Sequence, residues 1–124
     1  MKILNFGSLN IDYVYKVDKF ILPGETKSSL SLDTHCGGKG LNQSIAATKA
    51  GNEVYHAAFM GKGGEILKSA LSENGVNVDL IEQHEDMSGH AIIQVDEKGQ
   101  NCILLYGGTN QCLTKEFIDS ALDK

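Results

Sequence analysis

Cys36-Gly37-Gly38-Lys39-Gly40-Leu41-Asn42-Gln43 stands directly before a run of small residues with helical character, and its reading decides the fold. Glycines at 37, 38 and 40 allow positive φ and close backbone approach, and a helix starting there leaves N–H groups open at its first turn. Such a terminus suits an electron-rich oxygen of a ligand. A plain turn before a helix uses the same glycines, and the loop by itself does not separate the two.

Outward from the loop, Ile45, Ala46, Thr48 and Lys49 suit a helix from Leu41 to Ala50 that packs through its alanines and ends at Gly51. Upstream, Ile3-Leu4-Asn5-Phe6-Gly7-Ser8 reads as a short buried strand of a parallel sheet, running into Leu9-Asn10-Ile11-Asp12. Downstream, Val54 to Met60 supplies a second buried strand. Strand, helix, strand is the rhythm of an α/β domain. Polar groups at a strand's carboxyl end face the ligand crevice of an open α/β sheet. Asn10 offers donors and an acceptor, whereas ionised Asp12 only accepts, so the pair can grip neighbouring hydroxyls. In isolation the same two residues also serve as turn formers.

The remaining segments continue the alternation. Tyr13 to Val17 and Thr26 to His35 read as an up-and-back pair of strands around the Pro23-Gly24 turn. Ile66, Leu67, Ala70 and Leu71 predict a helix over residues 64–74, with a strand from Val78 to Gln83 after it. Gly89 to Val95 and Asn101 to Tyr106 form a hairpin across Asp96-Glu97-Lys98-Gly99. Gly107-Gly108-Thr109-Asn110 reads as a flexible exit. Thr114 then caps a last helix with Phe117, Ile118 and Leu122 inward.

Taken in order, Gly7-Ser8-Leu9-Asn10-Ile11-Asp12, Pro23-Gly24-Glu25-Thr26, Gly37-Gly38-Lys39-Gly40-Leu41-Asn42-Gln43 and Gly89-His90-Ala91 resemble the amino-terminal signature of the ribokinase-like (PfkB) carbohydrate kinases. The resemblance covers nearly the whole chain. It implies a three-layer α/β/α core with a small β-sheet lid, and transfer of the ATP γ-phosphoryl group to a sugar hydroxyl, with Mg²⁺ as companion. Ribose is the expected sugar; fructose or a nucleoside is the alternative. By the same resemblance Asn10, Asp12, Gly38, Lys39 and Asn42 hold the sugar, while Ala91, Ile93 and Leu105 line the apolar lid side. The lid segments fall at about 13–35 and 89–106, and a homodimer through the lid is implied. Excluding water that would compete with the sugar hydroxyl gives such a lid its physical purpose.

The family's catalytic Asp and nucleotide site belong to a later Gly-Ala-Gly-Asp segment that residues 1–124 do not contain. Lys39 is followed by Gly40 where a Walker-type loop needs Ser or Thr. The chain is therefore expected to be the sugar-binding part of a longer kinase, inactive alone and binding neither ATP nor Mg²⁺ by itself. A non-catalytic sugar-binding or dimerisation module is the competing expectation. Two departures from the family pattern stand out: Gly63 in Gly61-Lys62-Gly63-Gly64 occupies a place usually acidic, implying a more flexible loop, and Ser88 replaces the usual Thr.

Sixteen acidic against eleven basic side chains give a net charge of −5, with no Lys/Arg cluster, which argues against nucleic-acid binding. No apolar run is long enough to span a membrane and no leader pattern opens the chain, so a cytoplasmic protein without membrane attachment is expected. Cys36, Cys102 and Cys112 form no Cys-x-x-Cys pair, and the histidines lack His-Glu-x-x-His spacing; neither set points to a metal. Cys36 borders the loop, where it reads as a small packed apolar residue or as a reactive thiol.

Overall fold

The computed structural model describes residues 1–123. Strand β1 (Lys2–Asn5) pairs in parallel with β4 (Glu53–His56), and helix α1 (Lys39–Lys49) crosses between them. Strand β5 (Ala58–Lys62) pairs in parallel with β6 (Ile81–Met87) across helix α2 (Glu65–Glu73). On one side, Leu41 of α1 and Leu67 and Leu71 of α2 pack with Val54, Ala58, Met60 and Ile81. On the other, helix α3 (Lys115–Leu122) sets Phe117 and Ala121 against Ala57 and Phe59. Helices thus cover both faces of the strands, giving the three layers of the expected α/β/α core. Thr114 caps α3 as its sequence position predicts, its Oγ1 accepting from Phe117 N–H at 3.1 Å.

The lid is one sheet, not two separate pairs. Strands β2 (Asn10–Lys16), β3 (Ser31–Gly37), β7 (His90–Val95) and β8 (Asn101–Tyr106) lie in the order β3-β2-β7-β8. The two antiparallel pairs read from the sequence are joined by a parallel β2–β7 seam that only the tertiary structure supplies. The turn between β7 and β8 has Gly99 at φ +79°, and the Asp96 carboxylate accepts the N–H groups of Lys98 and Gln100 at 3.0 and 2.9 Å.

Several expectations shift. The strand read from Val54 to Met60 breaks at Ala57, because its first half pairs with β1 and its second with β6. The first strand stops at Asn5, since Gly7 turns to meet Gly40 backbone to backbone. The strand expected at Val78 to Gln83 runs later, from Ile81 to Met87. Helix α1 buries Gly40, Leu41 and Ser44, and Ala46 is exposed, so close approach rests on the glycine more than on alanines.

Residues 107–110 are not a flexible exit: Gly108–Gln111 form a 3₁₀ turn in which Gly108 and Thr109 are buried. Leu122 is 61% exposed, with Ala121 taking the inward position; Leu122 flanks a surface groove beside Ile3, Leu4 and Leu80. The Gly61–Gly64 segment is likewise held, Gly61 N–H donating to Ser88 Oγ at 2.8 Å and that hydroxyl lying 3.4 Å from Gly61 O. The Ser88 N–H adds a bond to Lys62 O at 3.3 Å.

Candidate functional site

Strand alternation decides which lid residues meet. Asp12 pairs with Ala91, which pairs with Leu105, and Val14 pairs with Ile93; Asn10 lies two residues before Asp12. Because partners across a ladder share a face and the side-chain period is two, Asn10, Asp12, Ala91, Ile93 and Leu105 occupy one face of the sheet. Ile11, Tyr13, His90 and Tyr106 take the opposite face, where the His90 ring packs between Tyr13 and Tyr106 at centroid distances of 6.0 and 5.2 Å.

The glycine loop brings α1 to the same place. A Cβ on Gly37 would sit 2.5 Å from Asp12 Oδ2, so the carboxylate lies across a backbone that has room for no side chain. Gly38 is the N-cap of α1 at φ 100°, and a Cβ there would meet Ser8 O at 2.7 Å and Asn10 N at 3.2 Å. This is the conformation and the approach for which glycine is needed. Lys39 and Asn42 then stand exposed in the first turn of α1, one turn apart. The ion pairs among the described residues are Lys27–Asp18 and Lys115–Asp119, so Lys39 makes none there.

Beneath the loop runs a buried polar chain. Asn5 Nδ2 donates to Gly40 O and to Ser44 Oγ, each at 2.9 Å. Ser44 Oγ is 2.7 Å from His56 Nδ1, and His56 Nε2 is 3.0 Å from Gly7 O. A carbonyl only accepts, so Nε2 carries the ring proton and Nδ1 accepts from the serine hydroxyl. Burial lowers the His56 pKa below its ordinary 6.5, with the Gly7 carbonyl opposing in part, and the neutral ring fits this pattern. His56 is buried with both ring nitrogens bonded within the fold, a structural role. Burial raises the Cys36 thiol, with the Asp12 and Glu73 carboxylates adding to the effect. Cys36 therefore stays protonated and packs beside the core, against the reactive-thiol reading.

Sequence reasoning missed Asn110. Its Oδ1 accepts from Leu9 N–H at 2.9 Å, and its Nδ2 donates to Leu9 O at 3.0 Å and Asn10 Oδ1 at 2.7 Å. Gly89 is open for the same reason, since a Cβ there would collide with Asn110 Nδ2 and sit 2.6 Å from Asn10 Oδ1. Only the glycine in Gly89-His90-Ala91 was a signal, and it did not say what approached.

No three His, Cys, Asp or Glu side chains converge as a metal-binding group among the described residues. The glycine loop is packed against Gly7, Ser8 and Asp12, an arrangement that does not fit a triphosphate cradle. No described residue is assigned to ATP or Mg²⁺. No helix among the described residues is long and apolar enough to cross a membrane.

A mixed α/β core with an attached four-stranded lid sheet, joined where β2 meets the glycine loop, is a sugar-kinase type of architecture. Residues 1–123 match the pfkB family carbohydrate kinase, and the chain belongs to that family. It is 37% identical over 126 aligned residues to the bifunctional ribokinase/ribose-5-phosphate isomerase A of Fructilactobacillus sanfranciscensis, covering 96% of this chain and 23% of that protein. It is 35% identical to the ribokinase of Haemophilus influenzae, covering 90% of this chain and 38% of that one. Among solved structures, the ribokinase of Cryptococcus neoformans in complex with ADP superimposes with a TM-score of 0.82 at 36% identity, over 87% of this chain and 35% of the other. The ribokinase of Arabidopsis thaliana complexed with ribose and ATP gives 0.80 at 29% identity, over 87% and 36%. The chain thus spans well under half the length of these relatives.

Proposed function

We propose that this chain is the sugar-binding part of a kinase that transfers the ATP γ-phosphoryl group to ribose, giving ribose 5-phosphate. The observation that carries this reading is the gathering of Asn10 and Asp12 with Ala91, Ile93 and Leu105 on one face of the lid, beside the Gly38 start of α1. Ribokinase relatives, including one structure holding ribose and ATP, support the choice of sugar.

In this reading Asp12 accepts from sugar hydroxyls, and Asn10 and Asn42 supply amide hydrogen bonds. Lys39 adds a positive charge at the rim of the cleft. Ala91, Ile93 and Leu105 cover the apolar side of the sugar ring and keep water away from its reacting hydroxyl. Holding that hydroxyl in one orientation is the chain's contribution, because phosphoryl transfer depends mainly on positioning and charge stabilisation. In this reading none of residues 1–124 is assigned to nucleotide, Mg²⁺ or general base, and the 124-residue chain alone is expected to turn over no ribose.

Asp12→Ala and Asn42→Ala, made in the longest form of the protein its gene encodes, test the site. Each lost contact to a buried hydroxyl costs about 1–3 kcal/mol, so the KM for ribose should rise roughly ten- to hundredfold with the KM for ATP nearly unchanged. Unaltered ribose affinity by calorimetry in both variants removes the assignment.

The protein is also proposed to dimerise through the lid, where Ile92, Leu104, Leu105 and Tyr106 are exposed around a concavity shared with Met87 and His90. A projecting sheet with open edges and apolar side chains is marginal alone and pairs readily, most simply with C₂ symmetry. Sedimentation at micromolar concentration decides this: a monomer that persists with ribose present rules it out.

A further inference from the structure

We propose that Asn110 is a positioning residue that locks the Asn10 side-chain amide with its NH₂ toward the sugar, so that Asn10 offers only donors there; this rests on the sugar-binding reading above. The orientation follows from counting donors and acceptors. Leu9 N–H needs an acceptor, and Asn110 Oδ1 lies 2.9 Å from it. That fixes which end of the Asn110 amide is oxygen. Its NH₂ then donates one proton to Leu9 O at 3.0 Å and the other to Asn10 Oδ1 at 2.7 Å. Asn10 therefore spends its oxygen on Asn110, and its own NH₂ is the end left for a ligand.

Asp12 follows on the same face and, ionised, only accepts. Side by side the two demand a ligand with one oxygen accepting from Asn10 and a hydroxyl donating to Asp12, as adjacent hydroxyls of a sugar do. The lock is built from far away in sequence, 100 residues separating its partners. Asn110 is held in the 3₁₀ turn Gly108–Gln111, whose Thr109 is buried, and its N–H bonds to Gly107 O at 3.1 Å. Gly89 provides the space, since any side chain there would displace the Asn110 amide.

Asn110→Asp is the test, because it keeps the shape and the acceptor for Leu9 N–H while replacing the donor end with a carboxylate oxygen; it also loses the bond to Leu9 O, a cost that an Asn10→Ala background carries equally. Asn10 should then turn its NH₂ to Asp and present oxygen to the sugar. In the longest form the gene encodes, the KM for ribose should rise roughly tenfold or more, with the KM for ATP within about twofold. In an Asn10→Ala background the same change should alter the ribose KM less than about twofold, since no amide remains to be turned. A full loss in that background shows a merely structural role and overturns the proposal; so does an unchanged KM in the Asn10 protein.

A readout without sugar stands beside it. In the ¹⁵N-labelled, sugar-free protein the side-chain amide protons of Asn110 should exchange slowly and those of Asn10 rapidly. Equal or reversed protection overturns the orientation. If the unsubstituted protein neither binds nor phosphorylates ribose, the sugar reading fails on its own, and the exchange pattern still decides the lock.

Discussion

Beneath the glycine loop Ser44 and His56 are buried, joined to Asn5 and Gly7 by an unbroken hydrogen-bonded chain, while at the outer lid Leu32, Ile103, Leu104 and Leu105 are 50–69% exposed. The two regions are linked through the segment after Gly7, which leads into lid strand β2 at Asn10, and β2 pairs with β3 and β7 of the lid. The base is tightly held because Gly7 and Gly40 meet backbone to backbone and the Asn5 NH₂, the Ser44 hydroxyl and both His56 ring nitrogens are bonded beneath them. The lid has the pairing of four strands and little packed against its outer half. In the proposed reading, Asn10 and Asp12 stand where β2 leaves this base, while Leu105 of the apolar cover stands on the exposed part of the lid.

The sharpest way to break that contrast is Gly40→Ala. Its new Cβ would overlap the Gly7 backbone, which has no flexible end to yield, and should cost about 3 kcal/mol in urea unfolding. Gly99→Ala in the lid turn has nothing within 4 Å of its Cβ and only the φ of +79° against it, so about 1 kcal/mol is expected. Equal costs for the two would dissolve the distinction.

Ser44→Ala probes the buried chain directly. It leaves His56 Nδ1 and one Asn5 bond without a partner and should cost about 1–3 kcal/mol by the same measurement.

The same region should also carry a pH dependence. With the folded-state pKa of His56 below its ordinary 6.5, the unfolded chain takes up its proton first as pH falls. Stability is thus constant from this group above about pH 6.5 and declines from there down to the lowered folded value. Urea midpoints at pH 7.5 and 5.5 check it, and His56→Gln should remove that part of the decline. A variant that keeps the full decline assigns it elsewhere.

The smallest effect belongs to Leu104→Ser. At 69% exposure, its loss should change monomer stability by about 0.5 kcal/mol or less, while weakening self-association in sedimentation. A large loss of monomer stability would mean that the outer lid is packed after all.

Much of this was legible in the chain itself because it is local. The Gly37-Gly38-Lys39-Gly40 loop, the Thr114 cap and the β7–β8 hairpin across Asp96–Gly99 depend on nearby residues, and each formed where its chemistry required; the strand expected from Thr26 to His35 runs instead from Ser31 to Gly37, its register set by partners on β2 that are 15 or more residues away. The motif order carried the family, and with it the identity of the candidate sugar contacts. What the tertiary structure alone decided is everything that depends on distant backbone meeting: the parallel β2–β7 seam, the break at Ala57 and the ordering of 107–110. The grip of Asn110 on Asn10 is the clearest case. A hydrogen bond across that many residues leaves no periodicity and no spacing in the sequence, because its geometry exists only once two strands and a 3₁₀ turn have been packed together.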